Sequence, residues 1–257
     1  MKISIVTTCL NSQGTIKETI RSVLDQKGDF EVEYIITDAG STDGTIDIIK
    51  SFGSKIKLVD AKGTNQSEGI NMGIKLATGD ILAFINADDV YEPCAFQKVQ
   101  QAFAGDPNTL WVTGQCRIIH KDGHEISKFI TRYKNFLLKR FSYFLLLSED
   151  FVSQPATFWR KELMEEFGGF DTKENLVMDY EFSLRIGHKY KPKIINSYLS
   201  SFRRIRTSKS NKFFRKQFRD DMRVSMYYCR KYKYYLPRLL KLVNYYKIIL
   251  IYSVIIK

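Results

Sequence analysis

Gly79-Asp80-Ile81-Leu82-Ala83-Phe84-Ile85-Asn86-Ala87-Asp88-Asp89 decides how the rest of the chain is read. A Gly-Asp turn opens the stretch, and five apolar residues, Ile81 to Ile85, follow it. An unbroken apolar run of this length describes a strand covered on both faces. Its C-terminal end delivers Asn86, Asp88 and Asp89 within four positions. Two carboxylates this close repel each other unless a cation neutralises them. Oxygen ligands of this kind suit a hard divalent ion, Mg²⁺ or Mn²⁺, better than zinc. The competing reading is a polar turn in which Asp88 or Asp89 caps a helix that Pro93 helps to start.

On the N-terminal side, the same pattern repeats. Ile3-Ser4-Ile5-Val6-Thr7-Thr8 reads as a strand, and Thr15 with Glu18 has capping-box spacing for a helix ending near Asp25. Glu31 to Thr37 is a second strand, ending in the Gly-, Asp- and Ser-rich turn Asp38 to Thr45, and a helix follows to about Phe52. Ile56 to Val59 is a third short strand, and a polar loop then leads to a helix ending at Ala77. After the Ile81–Ile85 strand, a helix is predicted from about Pro93 to Phe103. Alternating β and α elements with short loops imply a mostly parallel sheet flanked by helices. Open sheets of this class bind ligands beyond the C-terminal ends of their strands. Thr8 to Asn11, Asp38 to Asp43, and Asn86 to Asp89 all fall at such ends, so the topology gathers them on one edge. Neither a GxxxxGK nor a GxGxxG pattern is present, which removes support for a P-loop or a dinucleotide fingerprint.

Beyond Ala104 the pattern changes. Trp111 to Ile119 and Glu125 to Ile130 flank Asp122-Gly123 and predict a hairpin. Tyr133 to Leu147 is aromatic, basic and leucine-rich. Helices are expected over Lys161 to Phe167 and about Tyr180 to Tyr190, then a strand over Ile194 to Phe202, then helices from Asn211 broken near Pro237. The 257 residues carry a net charge of +12, with Lys and Arg crowded into the last quarter. Such an excess points to an anionic partner: nucleotide phosphates, nucleic acid or an acidic membrane surface. Cys9, Cys94, Cys116 and Cys229 form no CxxC pair or metal spacing and read as free thiols in a reducing compartment. Lys2 leads directly into a strand-like run, so no signal peptide is expected.

Several motifs, in order, resemble the family 2 glycosyltransferases, inverting enzymes of the GT-A fold. They are Ile3 to Asn11, Thr37-Asp38-Ala39-Gly40-Ser41-Thr42-Asp43-Gly44-Thr45, Gly73 to Asp80, and Asn86-Ala87-Asp88-Asp89. Gln154-Pro155-Ala156-Thr157-Phe158, Gly168-Gly169-Phe170-Asp171 and Met178-Asp179-Tyr180-Glu181 complete the set. The resemblance covers about residues 1–210. It implies a GT-A domain with a Rossmann-like nucleotide-sugar-binding half, 1–104, and an acceptor half, 105–210, followed by a basic, aromatic helical tail, 211–257.

The resemblance also assigns residues. One of Asp88 and Asp89 would hold Mg²⁺ or Mn²⁺ on the diphosphate of a nucleotide-sugar, a UDP-sugar by preference, with Asp89 preferred for the metal and Asp88 for the ribose. Asp38 matches the residue that accepts from the uracil ring, with Thr8 and Asn11 lining the same pocket and Asp43 near it. Local alternatives are an Asx-turn for Asp38 and a helix cap near Thr45 for Asp43. Gln66, Glu68 and Asn71 fall in a segment implied to contact the donor, although Glu68 also suits the first turn of a helix on its own account. Asp179 matches the catalytic base, with Met178 standing where the family commonly has Glu; a helix N-cap is its alternative. Glu181 has Arg185 at i+4 and reads as a surface salt bridge. Gln154 matches the acceptor-side wall, or is a strand-end residue. The family often carries Phe-Arg-x-His near the domain end, and Ile205 stands in the place of that histidine. Arg203 or Arg206 is the expected substitute on the phosphates. His120 and His124 flank the hairpin turn and read as surface residues.

The function implied is transfer of a sugar to a hydroxyl on a saccharide or lipid-linked acceptor, in cell-envelope polysaccharide or glycolipid synthesis. Basic and tyrosine residues beside the apolar run Leu239 to Ile256 predict a helix lying on an anionic membrane. That places the protein peripherally on the cytoplasmic face; the alternative is a helix packed back on the domain. Two other classes compete. A nucleic-acid-binding module would explain the charge but not the acidic strand ends. A nucleotidyltransferase on a related sheet would attack the α-phosphate and release pyrophosphate.

Overall fold

The structure, a computed structural model, describes residues 1–204 and 213–255, with side chains through Lys247. Its centre is a sheet of eight strands in the order β3-β2-β1-β4-β7-β6-β8-β5. The strands are β1 Lys2–Cys9, β2 Glu31–Asp38, β3 Lys57–Asp60, β4 Ile81–Phe84, β5 Val90–Tyr91, β6 Trp111–Ile119, β7 Thr157–Arg160 and β8 Lys193–Arg203. Helices α1 Ile16–Leu24, α2 Thr45–Lys50, α3 Gln66–Leu76 and α4 Ala95–Ala104 alternate with the first strands. The second half adds α5 Lys128–Lys139, α6 Tyr143–Ser148, α7 Lys161–Phe167 and α8 Met178–Gly187, and the chain ends in α9 Phe214–Lys231 and α10 Tyr235–Ile255. The expected α/β fold is present, with a mostly parallel sheet: β1 pairs in parallel with β2 and β4, β2 with β3, and β6 with β8. The antiparallel pairs β4–β7, β6–β7 and β5–β8 each involve a strand of the second half.

The decisive strand behaves as its composition demands. Ile81, Ala83 and Ile85 enter one apolar cluster with Ile3, Ile5 and Phe96, while Leu82 and Phe84 enter the other with Trp159 and Phe170. All five are at most 2% exposed, so β4 is covered on both faces. Gly79 lets the strand start: a Cβ there would stand 2.5 Å from the Ser4 hydroxyl and 2.8 Å from the Ser4 nitrogen.

Four expectations are corrected. The second arm of the hairpin is a single bridge, Ile119 to Glu125, because α5 begins at Lys128. The apolar positions Ile130, Leu137 and Leu138 follow helical spacing, and that period prevails over the short β-like run. The two-residue strand β5, too short to read from sequence, pairs with β8. The capping box at Thr15 does not form; the Thr15 hydroxyl turns to the Ser12 carbonyl and Glu18 reaches Arg203 instead. The Glu181–Arg185 pair does form, at 2.8 Å, but not on the surface: Glu181 is buried and also accepts from the Tyr228 hydroxyl of α9. The last helix starts before Pro237, which sits in its first turn, where the missing N–H has no partner to lose. All four cysteines are free thiols; Cys94 is exposed and the other three are buried.

Candidate active site

The parallel register sets Cys9 beside Asp38, and Val6 beside Phe84 two residues short of Asn86. The three polar strand ends therefore share one edge. At the β2 end, Asp38 is 5% exposed. Its carboxylate accepts from the N–H groups of Gly40 and Ser41, at 3.0 and 2.8 Å, and from the Ser41 hydroxyl and the Cys9 thiol. Burial pushes its pKa up, but these hydrogen bonds outweigh burial and hold it below the usual range. Asp38 thus closes the Gly40 loop, the turn role that its sequence also allowed. Asn11, at a left-handed φ of 50°, accepts from Thr42 N–H on its side chain and donates its own N–H to the Ser41 hydroxyl. Asp43 is exposed, precedes Gly44, the N-cap of α2, and accepts from Thr45 N–H and Gln13 N–H. Thr8 faces α3 at Gly69, where a Cβ would meet its hydroxyl at 2.7 Å. The Thr37 hydroxyl beside it is buried and without a hydrogen-bond partner.

At the β4 end the carboxylates divide their roles. Asp89 is fully buried; its oxygens accept from Arg203 N–H at 2.7 Å and from the Asn86 amide at 3.0 Å. Asn86 in turn accepts from the Gln66 amide at 2.7 Å. Asp88 is half-buried beside it. Burial raises the Asp88 pKa against its own backbone N–H and the Arg203 charge. Burial and the neighbouring Asp88 charge raise Asp89 further. Two adjacent oxygen ligands whose charged forms are disfavoured fit a hard divalent cation. Asp89, which the resemblance preferred for the metal, is spent on protein donors, and Asp88 is the more open of the two. Arg203 is not where a phosphate contact would be expected. It is 1% exposed, donates to the carbonyls of Asp88 and Lys121, and pairs with Glu18 at 2.7 Å, so it braces the site and does not face phosphate. Arg206 lies outside the described residues. Among the described residues, His120, Asp122 and His124 bring donor atoms within 4.8 Å of one another, but in an exposed turn whose Asp122 already accepts from His124 N–H.

Three further residues expected to contact substrate hold protein partners. Glu68 and Asn65 form a reciprocal capping box at the start of α3. Asn71 donates to and accepts from the Phe170 backbone, at 2.7 and 2.9 Å, clamping the second half to α3. Gln154, 7% exposed, donates to the Phe84 carbonyl at 2.6 Å and fixes the end of β4.

Asp179 enters from the second half. It occupies the second position of α8, whose N-cap is Val177, so it is not itself the cap. Ser67, next to Gln66, donates to the Met178 sulfur, which ties the first turn of α8 to the first turn of α3. Through Gln66 and Asn86 that turn joins the Asp88–Asp89 centre. Burial raises the Asp179 pKa, opposed by backbone N–H groups and by Lys134 of α5. The sequence reading missed Asp150. Burial and the charges of Asp179 and Asp221 push it to about 7, against Lys134. Its signal was available: Glu149-Asp150 interrupts an apolar run between Phe144 and Val152.

A family model described as glycosyl transferase family 2 matches residues 4–168. An uncharacterized glycosyltransferase of Nostoc sp. is 35% identical over 107 residues, 40% of this chain and 33% of the relative. A PGL/p-HBAD biosynthesis glycosyltransferase of Mycobacterium bovis is 30% identical over 191 residues, 71% of this chain and 68% of the relative. Among solved structures, S. aureus TarS aligns with a TM-score of 0.65 at 16% identity, over 86% of this chain and 39% of that one. The chain thus spans well under half of the Nostoc relative and of TarS. TarS 1–349 in complex with UDP aligns at 0.64 over 87% of this chain and 65% of that one, at 16% identity. The mannosyltransferase PcManGT of Pyrobaculum calidifontis, in complex with GDP-Man and Mn²⁺, aligns at 0.63, 17% identity, over 86% and 62%. These likenesses agree with the GT-A fold.

Proposed function

Because this chain belongs to glycosyl transferase family 2, we propose that it is an inverting enzyme moving a sugar from a nucleotide-sugar, a UDP-sugar, to an acceptor hydroxyl. One observation carries the reading: Asp38, Asp88 and Asp89 share one edge of the sheet, and α8 brings Asp179 to the same edge. The β1–β2 end with Thr8, Asn11 and Asp38 takes the nucleoside, and Gln66 and Asn86 line the path to the diphosphate. Asp88 would hold Mg²⁺ or Mn²⁺ with Asp89 behind it. That ion would supply Lewis-acid stabilisation of the departing diphosphate. UDP and UDP-GlcNAc complexes of TarS and the Mn²⁺ complex of PcManGT support the donor and metal classes.

Asp179 takes the proton of the acceptor hydroxyl as that oxygen bonds to the anomeric carbon. The bond to the diphosphate oxygen breaks on the opposite face, so the configuration inverts. Asp150 and Lys134 set the charge around Asp179 from the acceptor side. The acceptor is a saccharide or a lipid-linked glycan of the cell envelope, met at the cytoplasmic face of a membrane to which the protein attaches peripherally. No described helix is long and apolar enough to cross a membrane. The residues 1–104, 105–210 and 211–257 then serve as donor half, acceptor half and helical tail.

The test is a calorimetric screen of nucleotide-sugars with Mn²⁺, followed by product analysis. One donor should bind in a metal-dependent way and release a nucleoside diphosphate. Pyrophosphate release would turn the reading to a nucleotidyltransferase. Absence of any nucleotide-sugar binding, with salt-sensitive binding to nucleic acid that survives chelation, would replace it.

A further inference from the structure

The last helix, α10, is turned inside out. Lys241 is 4% exposed, pairs with Asp221 at 2.5 Å and lies 4.6 Å over the Tyr180 ring. Asn244 also faces inward and donates to the Ser148 carbonyl at 3.1 Å. The outward face carries Leu236, Leu239, Val243 and Tyr246, all more than half exposed. A helix in contact with water does the reverse. Helix α5 has a matching outward face. Phe129 is 82% exposed, Phe136 51% and Tyr133 40%. Arg132, Lys139 and Arg140 stand exposed among them, and no carboxylate lies on α5. The Arg140 guanidinium covers the Phe136 ring at 3.9 Å.

The two helices flank the same segment, Ser148 to Asp150. Helix α6 follows α5 directly, α10 packs on both α9 and α6, and Asn244 fixes α10 to the last residue of α6. Glu149, next in the chain, feels the charges of Lys134 from α5 and of Lys241 and Lys247 from α10.

We propose that α5 and the outer face of α10 form one surface that seats on anionic phospholipid headgroups. The proposal rests on the peripheral-membrane reading above and deepens it: a specific face, not only the tail, meets lipid. Charge complementarity selects the occupant, because cations alternate with aromatic rings on α5 and neither α5 nor α10 carries a carboxylate. A nucleic acid would satisfy the arginines but leave the leucine stripe of α10 in water. The surface also has an orientation. Lys134 of α5 is a cation that acts on both Asp150 and Asp179. A lipid-linked acceptor held at headgroup level would thus lie on the side of the base.

The experiment is co-sedimentation of the full chain with phosphatidylcholine vesicles, with and without phosphatidylglycerol. Three variants are compared with the wild type, each checked for an unchanged melting temperature and UDP affinity. They are Arg132→Ser/Lys139→Ser/Arg140→Ser, Phe129→Ser/Phe136→Ser and Leu239→Ser/Val243→Ser. The wild type should bind anionic vesicles only. The charge variant should lose on the order of 100-fold in partitioning, and each apolar variant about 10-fold or more. The emission that Phe129→Trp adds should blue-shift and be quenched by brominated lipid, whereas Trp111 and Trp159 are buried away from any lipid contact. Loss in the α10 variant alone would overturn the α5 surface while leaving tail attachment standing. No vesicle binding by the wild type would overturn both membrane statements, and intact UDP affinity would show that the donor reading survives.

Discussion

Single residues carry the chemistry, and their surroundings say which substitutions separate the roles. Asp179→Asn should lower transfer by about 10²–10⁴-fold while donor affinity stays within twofold, since the proposed base acts on the acceptor. Near-normal turnover would move the base elsewhere, with Asp150 the first candidate. Asp88→Asn should remove metal-dependent transfer with little change in melting temperature, because Asp88 is half-buried and holds no partner segment. Asp89→Asn should cost stability as well, because its carboxylate accepts the Arg203 N–H in a fully buried place. Equal melting temperatures for the two variants would refute this division. Asp150 supplies a pH signature. Its folded pKa, about 7, lies above its unfolded value. The fold therefore favours the protonated form, and stability is lost as pH rises from about 4 through 7. Asp150→Asn removes that loss, so its advantage in melting temperature over wild type should be near zero at pH 4 and grow to pH 8. A constant difference across that range would contradict it.

At the scale of elements, α3 and β8 are the supports. The capping box of α3 fixes the turn that offers Gln66 and Ser67. Asn65→Ala should cost about 1 kcal/mol, a fall of about 2–4 °C in a chain of this size. Donor affinity should fall only through that loosening. Arg203, at the end of β8, holds the Asp88, His120 and Lys121 carbonyls from a buried position. Arg203→Met leaves those acceptors unpaired and should cost about 2–4 kcal/mol. Glu18→Gln should be nearly silent by thermal melting, because the Glu18 side chain is 58% exposed and its pair is screened by water. A large loss in Glu18→Gln would show that the ion pair, not the carbonyl contacts, holds the site.

Over the whole molecule, the C-terminal hairpin is part of the core. Val224, Tyr228 and Cys229 of α9 belong to the larger apolar cluster, and the Ser225 hydroxyl donates to the Leu147 carbonyl at 2.6 Å. A chain ending at Arg204 would uncover that cluster together with Tyr180. It should lose cooperative thermal unfolding and aggregate, which differential scanning calorimetry would register. A sharp, reversible transition in the truncated chain would instead make residues 1–204 an independent unit. Point variants are for this reason the sounder way to test the outer face of α10.

The element order, the covered β4 strand and the gathering of acidic strand ends were all legible along the chain. They depend on local periodicity and on the rule that parallel strands end together. Tertiary structure alone decided what each polar residue is spent on. Nothing local to Asn71, Gln154 or Arg203 says that Phe170, Phe84 and Asp88 will take up their hydrogen-bonding groups, since those partners lie 70 or more residues away. The charge of Asp179 on Asp150, and the inward turn of Lys241, arise only when the helices of the second half and the C-terminus pack together. A buried polar group must find a partner wherever the fold brings one, and sequence spacing does not record where that is.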